Sequence, residues 1–308
     1  MTENGLTPAR SAASLRSIAA LVAVLVLAAS AAGAQERVVR GVHEGRAYRL
    51  YVPATPAPGG PLIVALHGCG QTPDDFALGT RLDKAAARRG LRVLYPAQGR
   101  FDNPARCWNW FSPAKAETAE ILALVHEIFR AQDAEGARIV VVGLSAGAYM
   151  AVNVACVAPD LVAGVAVAAG GPYSCADSTP AAIRCMRGER LDGSAAATRC
   201  RGAAGKAPAA RASLWHGDGD SVVSPASLVA LTEMFIALRD PRPTGTTVRR
   251  DRAVHSVYRT PGDGPAVLET WLVLGMGHAW SGGDRRGTHT YPAGPDATEA
   301  MLRFLVDQ

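Results

Sequence analysis

The sequence predicts an α/β fold in which a mostly parallel central sheet carries helices on both faces. Strand-like and helix-like stretches alternate along the chain, and residues 61–67 and 138–143 are largely continuous apolar runs. Such runs are typical of parallel strands that are buried on both faces. The alternating order requires crossover connections, which place helices on both sides of one sheet. The 308 residues, of which 48% are hydrophobic, suffice for one such domain.

The individual elements follow from composition and periodicity. The predicted strands are residues 46–53, 61–67, 91–95, 138–143, 162–168, 212–216 and 267–274. The predicted helices are residues 74–89, 116–132, 146–156, 224–239 and 295–306. The second of these helices is amphipathic, because apolar side chains recur at helical spacing from Ile121 to Ile128. Residues 172–208 are rich in Gly, Ala and Cys without clear periodicity, so we expect a disulfide-stapled insertion over the edge of the sheet.

The first 34 residues have the organisation of a signal peptide. Two arginines precede an apolar run over residues 18–29, and small residues end this segment at Ala34. The run is shorter than the ~20 residues that a membrane span requires, and no later segment is a candidate span. We therefore expect cleavage near Ala34, a secreted or periplasmic product, and a single domain over residues 35–308.

Charge and composition exclude several classes of protein. The net charge is +5, and basic residues are densest over residues 81–92 and 249–252. Neither stretch carries a nucleic-acid-binding motif or interleaved aromatic residues, so both are interpreted as solvated faces. No fixed-period repeat is present. The seven histidines show no H-E-x-x-H or comparable spacing, so we expect no metal and no cofactor.

The six cysteines are expected to form disulfides. An exported chain enters an oxidising compartment, where an even number of cysteines without C-x-x-C spacing favours bridges over a metal site. The count alone leaves the pairing open. The residues are Cys69, Cys107, Cys156, Cys175, Cys185 and Cys200.

The segment Gly143-Leu144-Ser145-Ala146-Gly147 contains the candidate nucleophile. It matches G-x-S-x-G, with a β-branched strand before it and a helix-forming stretch after it. In such a strand-to-helix turn the serine hydroxyl is raised above the sheet, and the glycines allow close backbone approach. The alternative is an ordinary turn in which the serine caps the helix. We interpret Ser145 as the nucleophile.

A serine hydroxyl is a poor nucleophile at neutral pH, so a base must take its proton and a third group must orient that base. The histidines that follow the serine are His216, His255, His278 and His289. His278 comes just after the apolar strand over residues 267–274, and this places it at the sheet edge that Ser145 occupies. We therefore predict His278 as the base; the alternative is a surface loop histidine.

The acid is predicted on the exit loop of the strand over residues 212–216. Both Asp218 and Asp220 lie on this loop. We favour Asp220, because the residues after it lead into a helix that would hold it at the site. Either aspartate could instead be a turn or N-cap residue.

Acyl transfer also requires hydrogen-bond donors for an oxyanion. The segment His67-Gly68-Cys69-Gly70-Gln71 leaves an early strand and turns on two glycines, which can direct backbone N–H groups into the site. We assign the oxyanion donors as the N–H groups of Cys69 and Ala146. The alternative for this segment is a tight loop without a role.

Six sequence motifs occur in order over nearly the whole chain after residue 34. They are H-G-C-G-Q (67–71), C-W-N-W-F (107–111), G-L-S-A-G-A-Y-M-A-V (143–152), G-G-P-Y-S-C-A (170–176), C-M (185–186) and G-M-G-H-A-W-S-G-G (275–283). Together these motifs resemble the catalytic domain of extracellular poly(3-hydroxybutyrate) depolymerases and their esterase relatives.

The resemblance implies an α/β-hydrolase fold and a serine hydrolase with Ser145, Asp220 and His278 as its triad. It also implies that Cys69 is an oxyanion residue bridged to Cys107. With that bridge assigned, a bridge between Cys175 and Cys185 is a hypothesis. The remaining two cysteines, Cys156 and Cys200, are either paired or free.

Three tryptophans are candidates for substrate binding. Trp108 and Trp110 follow Cys107, and the implied bridge would bring their indole rings near residues 67–71, the predicted oxyanion loop, where they could line an ester-binding cleft. Packing in the core is the alternative for each of them. Trp280, two residues after His278, is interpreted as a wall of the pocket.

These expectations define a secreted carboxylic-ester hydrolase that works through an acyl-enzyme without a cofactor. The expected substrates are poly(3-hydroxybutyrate), its oligomers or related short-chain hydroxyalkanoate esters. Because depolymerases of this type carry a further substrate-binding module that does not follow here, small soluble esters are also expected. One alternative is a feruloyl or acetylxylan esterase. An alternative of another class is an exported binding protein on a hydrolase scaffold.

Overall fold

The computed structural model describes residues 1–2, 35–112, 116–134, 136–239, 242–250 and 252–307. The chain divides into two units, Met1–Gln35 and Glu36–Gln308. The signal peptide predicted over residues 1–34 lies outside the described residues, apart from its first two. The fold below is that of the second unit. Among the described residues, no helix combines the length and the apolarity that crossing a membrane requires.

The described residues form strands and helices in alternation. The strands are β1 Arg37–His43, β2 Arg46–Val52, β3 Leu62–Leu66, β4 Val93–Pro96, β5 Ile139–Leu144, β6 Val162–Ala168, β7 Arg211–Gly217, β8 Thr244–Arg250, β9 Ala253–Arg259, β10 Ala266–Val273, β11 Trp280–Ser281 and β12 Thr290–Tyr291. The helices are α1 Pro73–Thr80, α2 Leu82–Ala87, α3 Ala116–Ala131, α4 Ala146–Val157, α5 Thr179–Met186, α6 Gly193–Ala204, α7 Ala226–Ala237 and α8 Ala297–Leu305.

A ten-stranded sheet runs through the described part of the chain in the order β1-β2-β4-β3-β5-β6-β7-β10-β9-β8. The central strands from β4 to β10 are parallel to one another. Antiparallel pairs flank them, with β1 and β2 at one end and β9 and β8 at the other. Every residue of β3 and β5 is buried, as their apolar runs predict. The predicted α/β class with a mostly parallel sheet is confirmed.

Helices cover both faces of this sheet. Helices α3, α4 and α7 share one apolar core with the sheet, and α1, α2 and α8 share the other. Successive residues of β3 alternate between these cores, with Val64 in the first and Ile63 in the second. This alternation follows from the two-residue period of a strand. With both faces covered, the edge at which the parallel strands end is left for a site.

The insertion over residues 172–208 contains α5 and α6 and packs on helices. Helix α6 lies against α4 and α7, where Ala196 and Ala197 are fully buried. The insertion therefore packs on helices that cover one face of the sheet, and its predicted position over the sheet edge is wrong. The small side chains of Ala196 and Ala197 allow the helices to approach each other closely. Disulfides join Cys175 to Cys185 within the insertion and Cys156 of α4 to Cys200 of α6.

The helix predicted over residues 74–89 is divided at Arg81. This residue adopts a left-handed conformation, with φ 58° and ψ 24°, between α1 and α2. Its guanidinium donates to the carbonyl of Gly282 and contacts Asp296, both distant in sequence. Tertiary contacts therefore stabilise a break that local helix propensity does not signal.

Strands β1, β8 and β9 are also absent from the sequence prediction, because their alternation of apolar and polar residues is weak.

Candidate active site

Four loops meet at the edge where the parallel strands end. The segment after β3 contains residues 67–71, and Ser145 follows β5 directly. Asp220 follows β7, and His278 follows β10. Strand β6 separates β5 from β7, and β7 pairs with β10, so these exits are close neighbours in the sheet.

Ser145 occupies a strained turn between β5 and α4. Its backbone has φ 56° and ψ −124°, a conformation that side-chain-bearing residues rarely adopt. The turn is fixed by its N–H, which donates to Ala168 O at 2.9 Å. A Cβ on Gly147 would lie 2.1 Å from Leu66 O, and one on Gly143 would lie 2.2 Å from Gly147 O. Both glycines of the motif are therefore sterically required.

His278 pairs with Asp220. The distance between His278 Nδ1 and Asp220 Oδ2 is 2.8 Å, so the imidazole donates from Nδ1 and keeps Nε2 available. The other carboxylate oxygen, Oδ1, accepts the N–H groups of Val222 and Val223, each at 2.9 Å. The carboxylate is thus held from both sides and is buried.

Asp218, the other candidate acid, has a different position. It is exposed, and its Oδ1 accepts the N–H of Gly275 at 2.7 Å. It therefore braces the loop that carries His278 without contacting the imidazole. The loop after β7, which carries Asp220, is also hydrogen-bonded to the loop after β10, which carries His278. The carbonyl of Met276 accepts the N–H of Gly219 at 3.0 Å. A Cβ on Gly217 would lie 2.1 Å from that same carbonyl oxygen.

The pKa of Asp220 is held well below its ordinary value. Burial would by itself raise this pKa, but hydrogen bonds from His216 and His278 and from the Val223 N–H outweigh burial. Asp220 is therefore ionised throughout the neutral range. An ionised carboxylate on Nδ1 stabilises the imidazolium that forms when His278 accepts a proton.

Ser145 Oγ makes no hydrogen bond with a described residue, and neither does His278 Nε2. Catalytic hydrogen bonds are often long before substrate binds and shorten in the complex.

The loop after β3 lies beside the serine. A Cβ placed on Gly68 would be 3.6 Å from Ser145 Cβ. The Gly68 N–H donates a hydrogen bond to Gln71 Oε1 at 2.9 Å, and the Gly70 N–H donates one to Ala105 O at 2.8 Å. The Cys69 N–H between them has no acceptor among the described residues, nor does the Ala146 N–H at the start of α4. These two groups are free to bind an oxyanion.

A disulfide between Cys69 and Cys107 fixes this loop to the segment after β4. The bridge is the one that the resemblance implies. The structure also pairs Cys175 with Cys185, and it joins Cys156 to Cys200, which the sequence left open.

The three tryptophans lie in the core and do not line an open cleft. Trp108 is fully buried beneath the oxyanion loop, and its indole N–H donates to His67 O at 3.0 Å. Trp110 is 6% exposed and stacks on Tyr149 with ring centroids 4.0 Å apart. Trp280 is 1% exposed and donates to Thr298 Oγ1 at 3.0 Å. The three tryptophans therefore do not occupy the pocket-wall positions predicted for them. Their large flat rings instead fill the space beneath the loops of the site.

Two polar residues at the ends of the loop after β3 have structural roles that the sequence did not predict. Gln71 is buried; its Oε1 accepts from Gly68, and its Nε2 donates to Thr288 O at 3.2 Å and to Asp75 Oδ2 at 3.1 Å. His67 is also buried, and burial lowers its pKa to about 4. Its Nε2 accepts the Gln98 N–H, so the neutral ring donates from Nδ1 to Gly68 O. The sequence signal that could have identified them is the presence of polar residues directly after a buried strand.

Comparison with known families identifies the group to which this fold and site belong. The family model described as Esterase PHB depolymerase matches residues 46–254. The chain belongs to this family. The region that matches the Esterase PHB depolymerase model runs from β2 to the start of β9. It includes the turn at Ser145 and the loop that carries Asp220, whereas His278 follows it.

Two curated relatives and one solved structure are similar to this member of the Esterase PHB depolymerase family. Poly(3-hydroxyalkanoate) depolymerase C of Paucimonas lemoignei is 34% identical over 239 residues, which cover 74% of this chain and 57% of the relative. Feruloyl esterase B of Neurospora crassa is 30% identical over 191 residues, which cover 57% of this chain and 64% of the relative. The chain thus spans less than two thirds of the length of both relatives.

The solved structure is an acetyl xylan esterase from Aspergillus awamori. It superposes with a TM-score of 0.68 at 19% identity, over 79% of this chain and 94% of that one. At this identity the similarity shows a shared fold, the α/β-hydrolase fold.

Proposed function

We propose that this chain is a serine carboxylic-ester hydrolase that works through an acyl-enzyme. The observation that carries the proposal is the 2.8 Å pair of His278 Nδ1 and Asp220 Oδ2 at the sheet edge where Ser145 occupies a strained turn. Uncommitted N–H groups of Cys69 and Ala146 beside that serine support the same chemistry. Membership of the Esterase PHB depolymerase family agrees with it.

In the proposed reaction, Ser145 Oγ attacks the ester carbonyl carbon while His278 Nε2 takes the hydroxyl proton. The carbonyl oxygen becomes an oxyanion, which the Cys69 and Ala146 N–H groups bind; each such donor contributes about 3 kcal/mol in serine hydrolases. The intermediate collapses, and His278 returns the proton to the departing alkoxide. Water then attacks the acyl-enzyme by the same steps and releases the acid. Asp220 orients His278 throughout.

We propose hydroxyalkanoate esters, as polymer or as oligomer, as the substrates. The relative with 34% identity is named as a poly(3-hydroxyalkanoate) depolymerase, and this identity is higher than the 30% of the feruloyl esterase from Neurospora crassa. A feruloyl ester is the second candidate, because a relative with 30% identity is named for that activity. The same triad can hydrolyse either ester. Which acyl and alcohol groups the site prefers is therefore determined by activity assays.

We further propose that residues 1–34 are removed on export and that the domain over residues 35–308 works outside the cytoplasm. The three disulfides support this, because bridges form and persist in oxidising compartments. The N-terminal sequence of the mature protein, purified from a secreting host, tests the cleavage site. A mature protein that begins elsewhere than near Gln35 would contradict it.

The Ser145→Ala variant tests the catalytic proposal. It is expected to abolish hydrolysis of p-nitrophenyl butyrate and labelling by a fluorophosphonate, while its melting temperature stays near that of the wild type. Ser194→Ala, at an exposed position on α6, is the matched control and should retain both properties. Retained turnover in Ser145→Ala would refute the assignment. Rates on poly(3-hydroxybutyrate), its oligomers, and feruloyl and acetyl esters then separate the two substrate classes.

A further inference from the structure

A second histidine, His289, lies beside His278. The ring centroids are 6.3 Å apart, and the ring planes meet at 75°. The His289 residue is exposed, and its imidazole makes no hydrogen bond with a described residue. The two rings are too far apart for a direct hydrogen bond between their nitrogens, since N···O and N···N bonds require about 3 Å. A polar group of a ligand can therefore lie next to both rings.

The backbone fixes His289 from both sides. Its carbonyl accepts the N–H of Trp280 at 2.7 Å, and the next residue, Thr290, pairs with Trp280 in the short β11–β12 ladder. On the other side, the Thr288 N–H donates to Asp75 Oδ1 at 3.0 Å. Between these anchors His289 has φ 52°, a conformation that is unfavourable for a residue with a side chain. Such strain persists where the surrounding structure enforces it, and it concentrates at functional sites.

His289 is also connected to the oxyanion loop. Thr288 O and Oγ1 both accept from Gln71 Nε2, at 3.2 and 3.1 Å. Gln71 Oε1 in turn accepts the N–H of Gly68, which lies beside Ser145. The residue before His289 is therefore attached to the loop that borders the serine, and the His289 ring itself lies next to the base. His289 thus belongs to the surroundings of the same site.

The proton transfers of the proposed reaction indicate which part of an ester meets His289. Asp220 occupies His278 Nδ1, so Nε2 must serve both Ser145 and the oxygen of the departing alcohol. The atoms of the alcohol that follow this oxygen consequently lie near the His278 ring. In a 3-hydroxyalkanoate ester the alcohol is itself a hydroxy acid, with a carbonyl or carboxylate group two carbons beyond the carbon that bears the oxygen. An imidazole N–H is a suitable donor for that group.

We propose that His289 is a specificity-determining residue for the alcohol side of the ester, where its imidazole N–H donates to the carbonyl or carboxylate oxygen of the departing 3-hydroxy acid. This inference rests on the proposed hydrolase function and deepens it. It assigns the selection of a hydroxy acid, as opposed to a simple alcohol, to one side chain outside the triad.

Two esters with the same acyl group test this inference. Ethyl butyrate and 3-butyryloxybutyrate both give a butyryl-enzyme, but only the second releases a hydroxy acid. His289→Gly removes the imidazole at a backbone conformation that glycine adopts without strain. We expect it to lower kcat/KM for 3-butyryloxybutyrate about tenfold, the effect of one hydrogen bond to a charged group, and to leave kcat/KM for ethyl butyrate within about twofold. His289→Gln, which retains a donor, should recover part of the loss.

The controls separate this inference from the proposed function. His126→Ala removes an exposed histidine on α3 and should behave as the wild type on both esters. Ser145→Ala should hydrolyse neither, and its failure to lose ethyl butyrate hydrolysis would count against the proposed function alone. Equal losses on both esters in His289→Gly would show that His289 acts through His278, and this would overturn the inference. No loss on either ester, or a wild type that accepts only ethyl butyrate, would overturn it as well.

Discussion

His216 and Asp220 are in contact in the buried interior behind the candidate triad. His216 Nε2 lies 3.4 Å from Asp220 Oδ2, and both side chains are completely inaccessible to solvent. The same nitrogen lies 3.0 Å from Val223 O, a group that can only accept, so Nε2 carries a hydrogen. His216 Nδ1 is buried without a partner among the described residues. Asp220 Oδ2 is therefore held between two histidines, and of these His278 is the proposed partner of Ser145.

The first prediction concerns His216 as a positioning residue. In His216→Phe, Asp220 loses one donor and interacts more strongly with the protonated His278. The acid limb of the kcat/KM profile should move to higher pH, and kcat/KM at pH 7 should fall about tenfold because the carboxylate is less well fixed. The profile is measured with p-nitrophenyl butyrate. His216→Gln, which can place its amide N–H near the position of Nε2, should restore the limb; an unchanged profile in His216→Phe would argue for a purely structural role.

The second prediction concerns Asp220 and pH. A carboxyl group whose pKa is lowered by folding stabilises the folded state above its unfolded pKa of about 3.9. That contribution is lost as the pH falls through this value toward the folded pKa. The difference in unfolding free energy between the wild type and Asp220→Asn should therefore be larger at pH 7 than at pH 3, as measured by denaturant titration.

The same variant should lose activity. An asparagine in place of the triad acid allows the wrong imidazole tautomer and costs about 10⁴-fold in kcat in a serine protease. Asp218→Asn is the matched control, because it retains an acceptor for Gly275 and does not touch His278. Similar losses of kcat in the two variants would contradict the assignment of Asp220.

The third prediction concerns Gln71, which connects the oxyanion loop to Thr288. Gln71→Ala releases the Gly68 N–H and removes the donor to Thr288, so the Cys69 N–H is less well aimed. An oxyanion donor acts in the transition state, so kcat should fall about tenfold while KM changes little. Steady-state kinetics with p-nitrophenyl butyrate measure both constants. A rise in KM at unchanged kcat would instead assign Gln71 to substrate binding.

The fourth prediction compares two disulfides. Removing Cys69–Cys107 by paired alanine substitution should lower both kcat and stability, because the bridge fixes the loop beside Ser145. Removing Cys175–Cys185, which lies within the insertion, should lower stability with a smaller effect on kcat. A native disulfide contributes about 2 to 5 kcal/mol in small secreted domains. Thermal unfolding and kcat are compared for the two variants, and equal losses of kcat would contradict the local role of Cys69–Cys107.

Local sequence signals predicted the elements that position the candidate site. The apolar runs of β3 and β5 and the strand-to-helix turn at Ser145 could be identified without a structure, because burial and glycine spacing leave a local pattern. The choice of Asp220 also came from its local context. The break at Arg81 did not, because contacts with Gly282 and Asp296 stabilise it from far along the chain.

By itself the sequence determined the fold class and the central parallel strands, and it predicted the strand exits at which the candidate site lies. Only the tertiary structure decided that the three tryptophans fill the core, that Cys156 pairs with Cys200, and that His216, Gln71 and His289 surround the site. The physical reason is the range of the interactions. Hydrophobic periodicity is set by neighbours within a few residues, whereas a pair such as His278 and Asp220, 58 residues apart, meets only after the sheet has fixed the order of its strands in space.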